Sequence, residues 1–154
     1  MAACDPLQTL TELALLAGPT SASVIGWATL LWPLDINHAV GSPTANIYGQ
    51  VWIDGVTQQT GASPGLLAWV GYGAGQDPTL WIDWVAAAFN ADVGNNDEFV
   101  GVLNPQYGGN FYYAYRYSYN GGAFGYADLN GLGLASGLLD EPRVLTVSGP
   151  SAPP

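Results

Sequence analysis

At 154 residues and a formal net charge of -10, the chain is one domain long and strongly acidic. It has no Lys, and its cations are Arg116 and Arg143 alone, so it cannot assemble the basic patch that nucleic acid or an anionic membrane surface needs. Charged residues make up 9%, against 21 Gly, 6 Trp and 9 Tyr, a balance that favours strands and tight turns over helices.

Asp5-Pro6 suits the cap and first position of a helix, and Leu7, Leu10, Leu13 or Ala14, and Ala17 would share one face before Gly18-Pro19 stops it. This segment reads as a helix on the domain edge or as an arm that exchanges between copies. Residues 1–23 thus form an arm and linker, and 24–148 a single β domain. Residues 149–154 form a Pro-rich tail. Cys4 is the lone cysteine, so no intrachain disulfide can form. No signal sequence is visible, and the longest apolar stretch, Val24–Leu34, is too short to span a bilayer.

Strands are expected at Val24–Trp32, Ile47–Ile53, Leu66–Tyr72, Trp81–Phe89, Glu98–Leu103, Phe111–Tyr119, Ala123–Ala127 and Arg143–Val147. Turn-formers separate them, among them Asp54-Gly55, Ser63-Pro64-Gly65, Gly94–Asp97 and Asn120-Gly121-Gly122. This spacing predicts an all-β immunoglobulin/fibronectin-like β-sandwich of seven to eight strands. Alternation puts Ile47, Gly49, Val51 and Ile53 inside and Tyr48, Gln50, Trp52 and Asp54 on the wetter face. In Phe111–Tyr119 the odd positions are all aromatic, and Arg116 directs the even positions to solvent.

Catalytic chemistry is poorly provided for, and the chain does not read as an enzyme. His38 is the single histidine and is expected in a surface loop; zinc sites and Ser-His arrangements need more. Asp97-Glu98 and Asp140-Glu141 are neighbours that a strand would point to opposite faces, which is no geometry for a glycosidase pair. Asp92, Asn95, Asn96, Asp97 and Glu98 crowd oxygen-bearing side chains into one turn. Calcium could be held there by Asp92, Asn95 and Asp97; the other reading is a turn whose side chains bond to local backbone. Sugar rings stack on flat aromatics beside polar groups. Tyr48 and Trp52 next to Gln50, and Tyr126 next to Asp128 and Asn130, offer that pattern. Trp81 and Trp84 flank Asp83, and strict alternation sends them to opposite faces.

The stretches Ile47–Thr57, Val70–Gly73, Trp84–Asn90, Asp92–Phe99, Tyr113–Ser118 and Tyr126–Gly131 resemble an immunoglobulin-like β-sandwich module. That module recurs in secreted bacterial surface proteins of myxobacterial type and in extracellular hydrolases. The order of aromatic strand, Asn120-Gly121-Gly122 turn, second aromatic strand and Asp128–Asn130 is also similar to starch-binding modules of amylases and pullulanases. That similarity implies ligand contacts at Tyr126, Asp128 and Asn130. The resemblance implies a non-catalytic, secreted or cell-surface module that binds polysaccharide or glycan. The alternative is a self-assembling structural subunit of a filament, layer or coat that associates through residues 1–23.

Overall fold

The computed structural model describes residues 24–132, 139 and 141–154. The helix expected over Leu7–Ala17 and the arm of residues 1–23 lie outside the described residues, as does Asp140.

Among the described residues ten strands build an all-β sandwich: β1 Trp27–Trp32, β2 Ile36–Ala39, β3 Ile47–Trp52, β4 Leu66–Gly73, β5 Asp83–Val93, β6 Asn96–Gly101, β7 Gly109–Tyr119, β8 Gly125–Asp128, β9 Gly131–Leu132 and β10 Arg143–Ser148. The first sheet runs β1-β3-β6-β5 and the second β5-β4-β7-β10-β2, with β8 and β9 hanging from β7. Strand β5 belongs to both. Its first half pairs with β4 and its second half with β6, and the register slips between Phe89 and Ala91. Such a slip twists a strand enough to let it pass from one sheet to another.

Two strands went unforeseen, β2 and the two-residue β9. His38 lies in β2, not in a loop, because residues 36–39 pair in parallel with β10. That partner is more than a hundred positions away, and no local pattern announces it. A 3-10 turn at Pro78–Leu80 delays the start of β5 to Asp83, so the alternation assumed from Trp81 onward does not hold. Trp81 and Trp84 instead stack on each other, with ring centroids 5.6 Å apart.

The core is dominated by β7. Tyr113, Tyr115 and Tyr117 are fully buried, and Tyr115 and Tyr117 stack at 5.5 Å. Their phenol ends cross to the facing sheet and its flank. The Tyr115 hydroxyl donates to the Ile47 carbonyl at 2.6 Å, Tyr117 to the Thr29 carbonyl at 3.0 Å and Tyr113 to the Pro33 carbonyl at 2.6 Å. Opposing sheets sit roughly 10 Å apart, a gap a tyrosine can bridge while its hydroxyl stays paired. Gly49 makes this possible, because a Cβ there would strike the Tyr117 hydroxyl and the Tyr115 ring.

The even face of β7 does not simply meet solvent. Ala114 and Ser118 are buried, and Arg116 is half-buried under aromatic rings. Its guanidinium lies 5.0 Å from the ring centre of Trp69, 4.4 Å from Trp84 and 4.1 Å from Phe124. Stacking of this kind favours a cation on aromatic faces, and among the described residues no carboxylate forms an ion pair with Arg116.

Replacing Tyr115 by Phe should lower unfolding free energy by about 1–3 kcal/mol, since the Ile47 carbonyl loses a buried donor. Urea denaturation with an unchanged slope would measure it; no loss would mean that the hydroxyl does not tie the sheets. Burial is the main cause holding the Tyr113, Tyr115 and Tyr117 hydroxyls above their ordinary range near 10. The unfolded chain therefore releases these protons first, and stability falls as pH rises above about 10. Tyrosinate absorbance from the three should appear only together with loss of the near-ultraviolet circular dichroism of the folded core.

Candidate functional site

Alternation along β3 points Ile47, Gly49 and Val51 into the core and directs Tyr48, Gln50 and Trp52 to the other side of the first sheet, where Tyr48 and Trp52 are half-buried and Gln50 is buried under its neighbours. Pairing with β1 sets Trp27 beside Trp52 and Thr29 beside Gln50. A register slip between Leu30 and Trp32 adds one residue to β1 and brings Trp32 opposite Tyr48. Two aromatic pairs thus stand at the two ends of the same face. Trp32 is 56% exposed and Trp27 41%, while Trp52 and Tyr48 are half-buried. The Trp52 indole lies against Gly26, where any Cβ would collide with it.

Between the aromatic pairs runs a polar band drawn from three strands. The Gln50 amide donates to Glu98 Oε1 at 3.0 Å, and Asn90 donates to Glu98 Oε2 at 2.8 Å. Asn96 donates to the Gln50 carbonyl oxygen at 3.2 Å, and Asn46 reaches the Tyr48 hydroxyl at 3.4 Å. Because each group holds its neighbour, the band presents amide and carboxylate groups in fixed positions. A flat apolar ring beside fixed donors and acceptors is what a polyhydroxylated ligand requires: the rings take its C–H faces and the polar band takes its hydroxyls.

The other expected sugar contacts lie elsewhere. Tyr126 sits on the outer face of the second sheet, on the opposite side of the sandwich, against Trp84 at 5.8 Å and Phe124 at 6.0 Å. Asp128 is fully buried, and its carboxylate accepts the backbone N–H of Asn130 at 2.9 Å and of Glu141 at 2.6 Å. Asn130 is exposed in the turn that follows. Tyr48 and Trp52 therefore share a face and Tyr126 lies on the opposite one, whereas Asp128 fastens a turn that abuts β1, its carbonyl accepting the Thr29 hydroxyl at 2.9 Å.

Asp92 and Asp97 face each other across the β5–β6 hairpin. Both Asp92 oxygens accept the Gly61 N–H, at 3.1 and 3.0 Å, and Asp97 Oδ2 accepts the Ser63 hydroxyl at 2.7 Å. Asn95 is exposed, and its carbonyl accepts the Thr57 hydroxyl at 2.7 Å. The hairpin thereby anchors the loop of residues 53–65. Among the described residues no group of three or more His, Cys, Asp or Glu side chains is placed to hold a metal ion.

Sequence reasoning passed over Trp27, Trp32, Asn90 and Glu98 as parts of one surface. Asn90, Asn96 and Glu98 could have been joined by folding the chain about Gly94-Asn95. Their meeting with Gln50 depends on a strand pairing that no local signal specifies.

No protein-family model matches the chain. It is 33% identical over 117 residues to an amylopullulanase of Thermoanaerobacterium thermosulfurigenes and 31% identical over 123 residues to one of Thermoanaerobacterium saccharolyticum. These matches take in 64% and 68% of this chain but 6% and 10% of the relatives, so the chain spans a tenth or less of the curated proteins it matches. No helix among the described residues is long and apolar enough to cross a membrane.

Asp97 is fully buried, and its Oδ1 has no hydrogen-bond partner. Burial raises its carboxyl above the usual range, opposed by the Ser63 hydroxyl and N–H and reinforced by Asp92. The folded chain keeps this proton to higher pH than the unfolded chain. The stabilising contribution is therefore present below about pH 4 and is lost as pH rises through the folded value. Asp97→Asn, which cannot ionise, should gain in melting temperature relative to the native chain between pH 4 and neutrality. A difference that stays flat across that range would show that the carboxyl carries no such penalty.

Proposed function

We infer that this chain is a non-catalytic carbohydrate-binding module of a secreted or cell-surface protein, and that the outer face of the first sheet holds a neutral polysaccharide. The observation that carries the reading is the pair of aromatic couples, Trp27 with Trp52 and Trp32 with Tyr48, at either end of the hydrogen-bonded band of Gln50, Asn90, Asn96 and Glu98. Tyr48 and Trp52 are four residues apart on one strand, about 13 Å at the usual rise. A linear sugar chain can rest on both ends and place hydroxyls on the band between them. The shape is a shallow platform, suited to several consecutive units of a polymer rather than to a small enclosed substrate.

Charge narrows the class. With a net charge of -10 and no Lys, the surface repels anionic polysaccharides, and Glu98 at the centre of the platform does so locally. A neutral glucan fits this environment. The similarity to segments of amylopullulanases, enzymes named for amylose and pullulan, supports the same class of ligand. The small share of those proteins that is matched supports an accessory rather than a catalytic role.

Affinity electrophoresis of the full chain through gels containing soluble starch or pullulan tests this. The native chain should be retarded. Trp32→Ala and Trp52→Ala should each weaken binding about tenfold or more, as expected for an aromatic anchor. Phe124→Ala, on the opposite face and 42% exposed, should leave it unchanged. Absence of retardation, or an equal loss with Phe124→Ala, would remove the platform as the binding surface.

A further inference from the structure

A second recess lies where β5 begins, at the opposite end of that strand from the hairpin turn next to Trp52; β5 is 11 residues long, roughly 33 Å of chain from its first residue to its last. It consists of two hollows of about 500 and 350 Å³ that share Tyr72, Asp83 and Phe111 in their walls. Each falls within the range of small-molecule sites. Tyr72 and Asp83 are direct cross-strand partners, and Phe111 meets the Tyr72 ring edge to face at 5.2 Å. Trp81 closes one hollow, its ring lying against Gly73 and its indole N–H donating to the Gly75 carbonyl at 2.9 Å. Tyr107, 45% exposed, and Asn110 line the other.

The chemistry of the walls is selective. Tyr72, Phe111, Trp81 and Tyr107 supply aromatic surface, and Asp83 supplies an exposed acceptor. The Tyr72 hydroxyl is held above its ordinary range by burial and by Asp83, so it stays protonated and able to donate. A donor and an acceptor side by side match the adjacent hydroxyls of a sugar ring. No cation balances Asp83 here: Arg116 lies among Trp69, Trp84 and Phe124, and Arg143 pairs with Glu141 and Asp35. An anionic ligand is thereby disfavoured.

We propose that this recess is a second carbohydrate site, one that takes a single neutral saccharide chain between Tyr72, Asp83, Phe111 and Tyr107, separate from the platform around Trp52. The proposal rests on the reading of the chain as a glycan-binding module. The two sites differ in form: the platform accepts the side of an extended polymer, and the recess accepts one chain at its end or at a bend. Two sites so far apart on one rigid body engage separate chains, or separate parts of one polymer, and raise overall retention on insoluble glucan.

Titration of isotope-labelled full chain with maltoheptaose, followed by amide and indole N–H resonances, separates the possibilities. The expected result is movement of the Trp81 indole and Gly75 amide signals, alongside those of Trp52 and Trp27. Asp83→Asn and Tyr107→Ala, both at exposed positions, should weaken the Trp81 response about tenfold while the Trp52 response keeps its affinity. Unchanged amide dispersion elsewhere would establish that the variants fold. Movement at Trp52 without Trp81 would overturn the second site and leave the platform standing. Movement at Trp81 that neither variant alters would overturn the assignment of these residues. Movement at neither would overturn both sites.

Discussion

The three tyrosines of β7 set the geometry on which the rest depends. An apolar core holds two sheets together without specifying how they are offset; a phenol that must end on a particular carbonyl oxygen does specify it. Tyr115 ends on Ile47 and Tyr117 on Thr29. Those carbonyls belong to β3 and β1, the two strands whose outward residues carry Tyr48, Gln50, Trp52, Trp27 and Trp32. The platform is therefore positioned from behind, through the core. This arrangement also accounts for a glycine at position 49, where the strand must lie flat against two stacked rings.

The same β7 strand organises the opposite surface through its even positions. Arg116 is one of the two Arg in the chain, and among the described residues it is held by aromatic faces. Arg143, the other, is engaged with Glu141 and Asp35 near the end of the chain. Both Arg side chains are thus engaged within the fold, and Glu141 and Asp35 are the carboxylates that pair with Arg143. The recess and the platform each carry a carboxylate, Asp83 and Glu98, with neither Arg beside it.

Much of the architecture was legible because it is local. The two-residue period in Ile47–Ile53 picks out the apolar core positions, although Gln50, expected on the wetter face, is buried, only 8% exposed; the odd aromatic positions of β7 pack in or against the core. Reading failed where distant segments decide. Strand β2 exists through its parallel partner β10, and the covering of the even face of β7 comes from Trp69, Trp84 and Phe124 on other segments. The 3-10 turn before Asp83 resets the phase that would have separated Trp81 from Trp84. The candidate platform was half visible: Tyr48 and Trp52 follow from alternation, whereas Trp27 and Trp32 join them through a register slip in β1. The oxygen-rich turn at Asp92–Asp97 was recognised by composition, but composition could not say that Gly61 and Ser63 fold back to bond Asp92 and Asp97 Oδ2.

Strand β5, shared between the sheets, has a mechanical consequence. In a sandwich whose layers touch only through side chains, a pulling force can slide one sheet over the other by breaking dispersion contacts. Here a continuous backbone passes from β4 to β6 through the slip at Phe89–Ala91, hydrogen-bonded on both sides of the crossing. Sliding the layers would require those backbone ladders to shear as well.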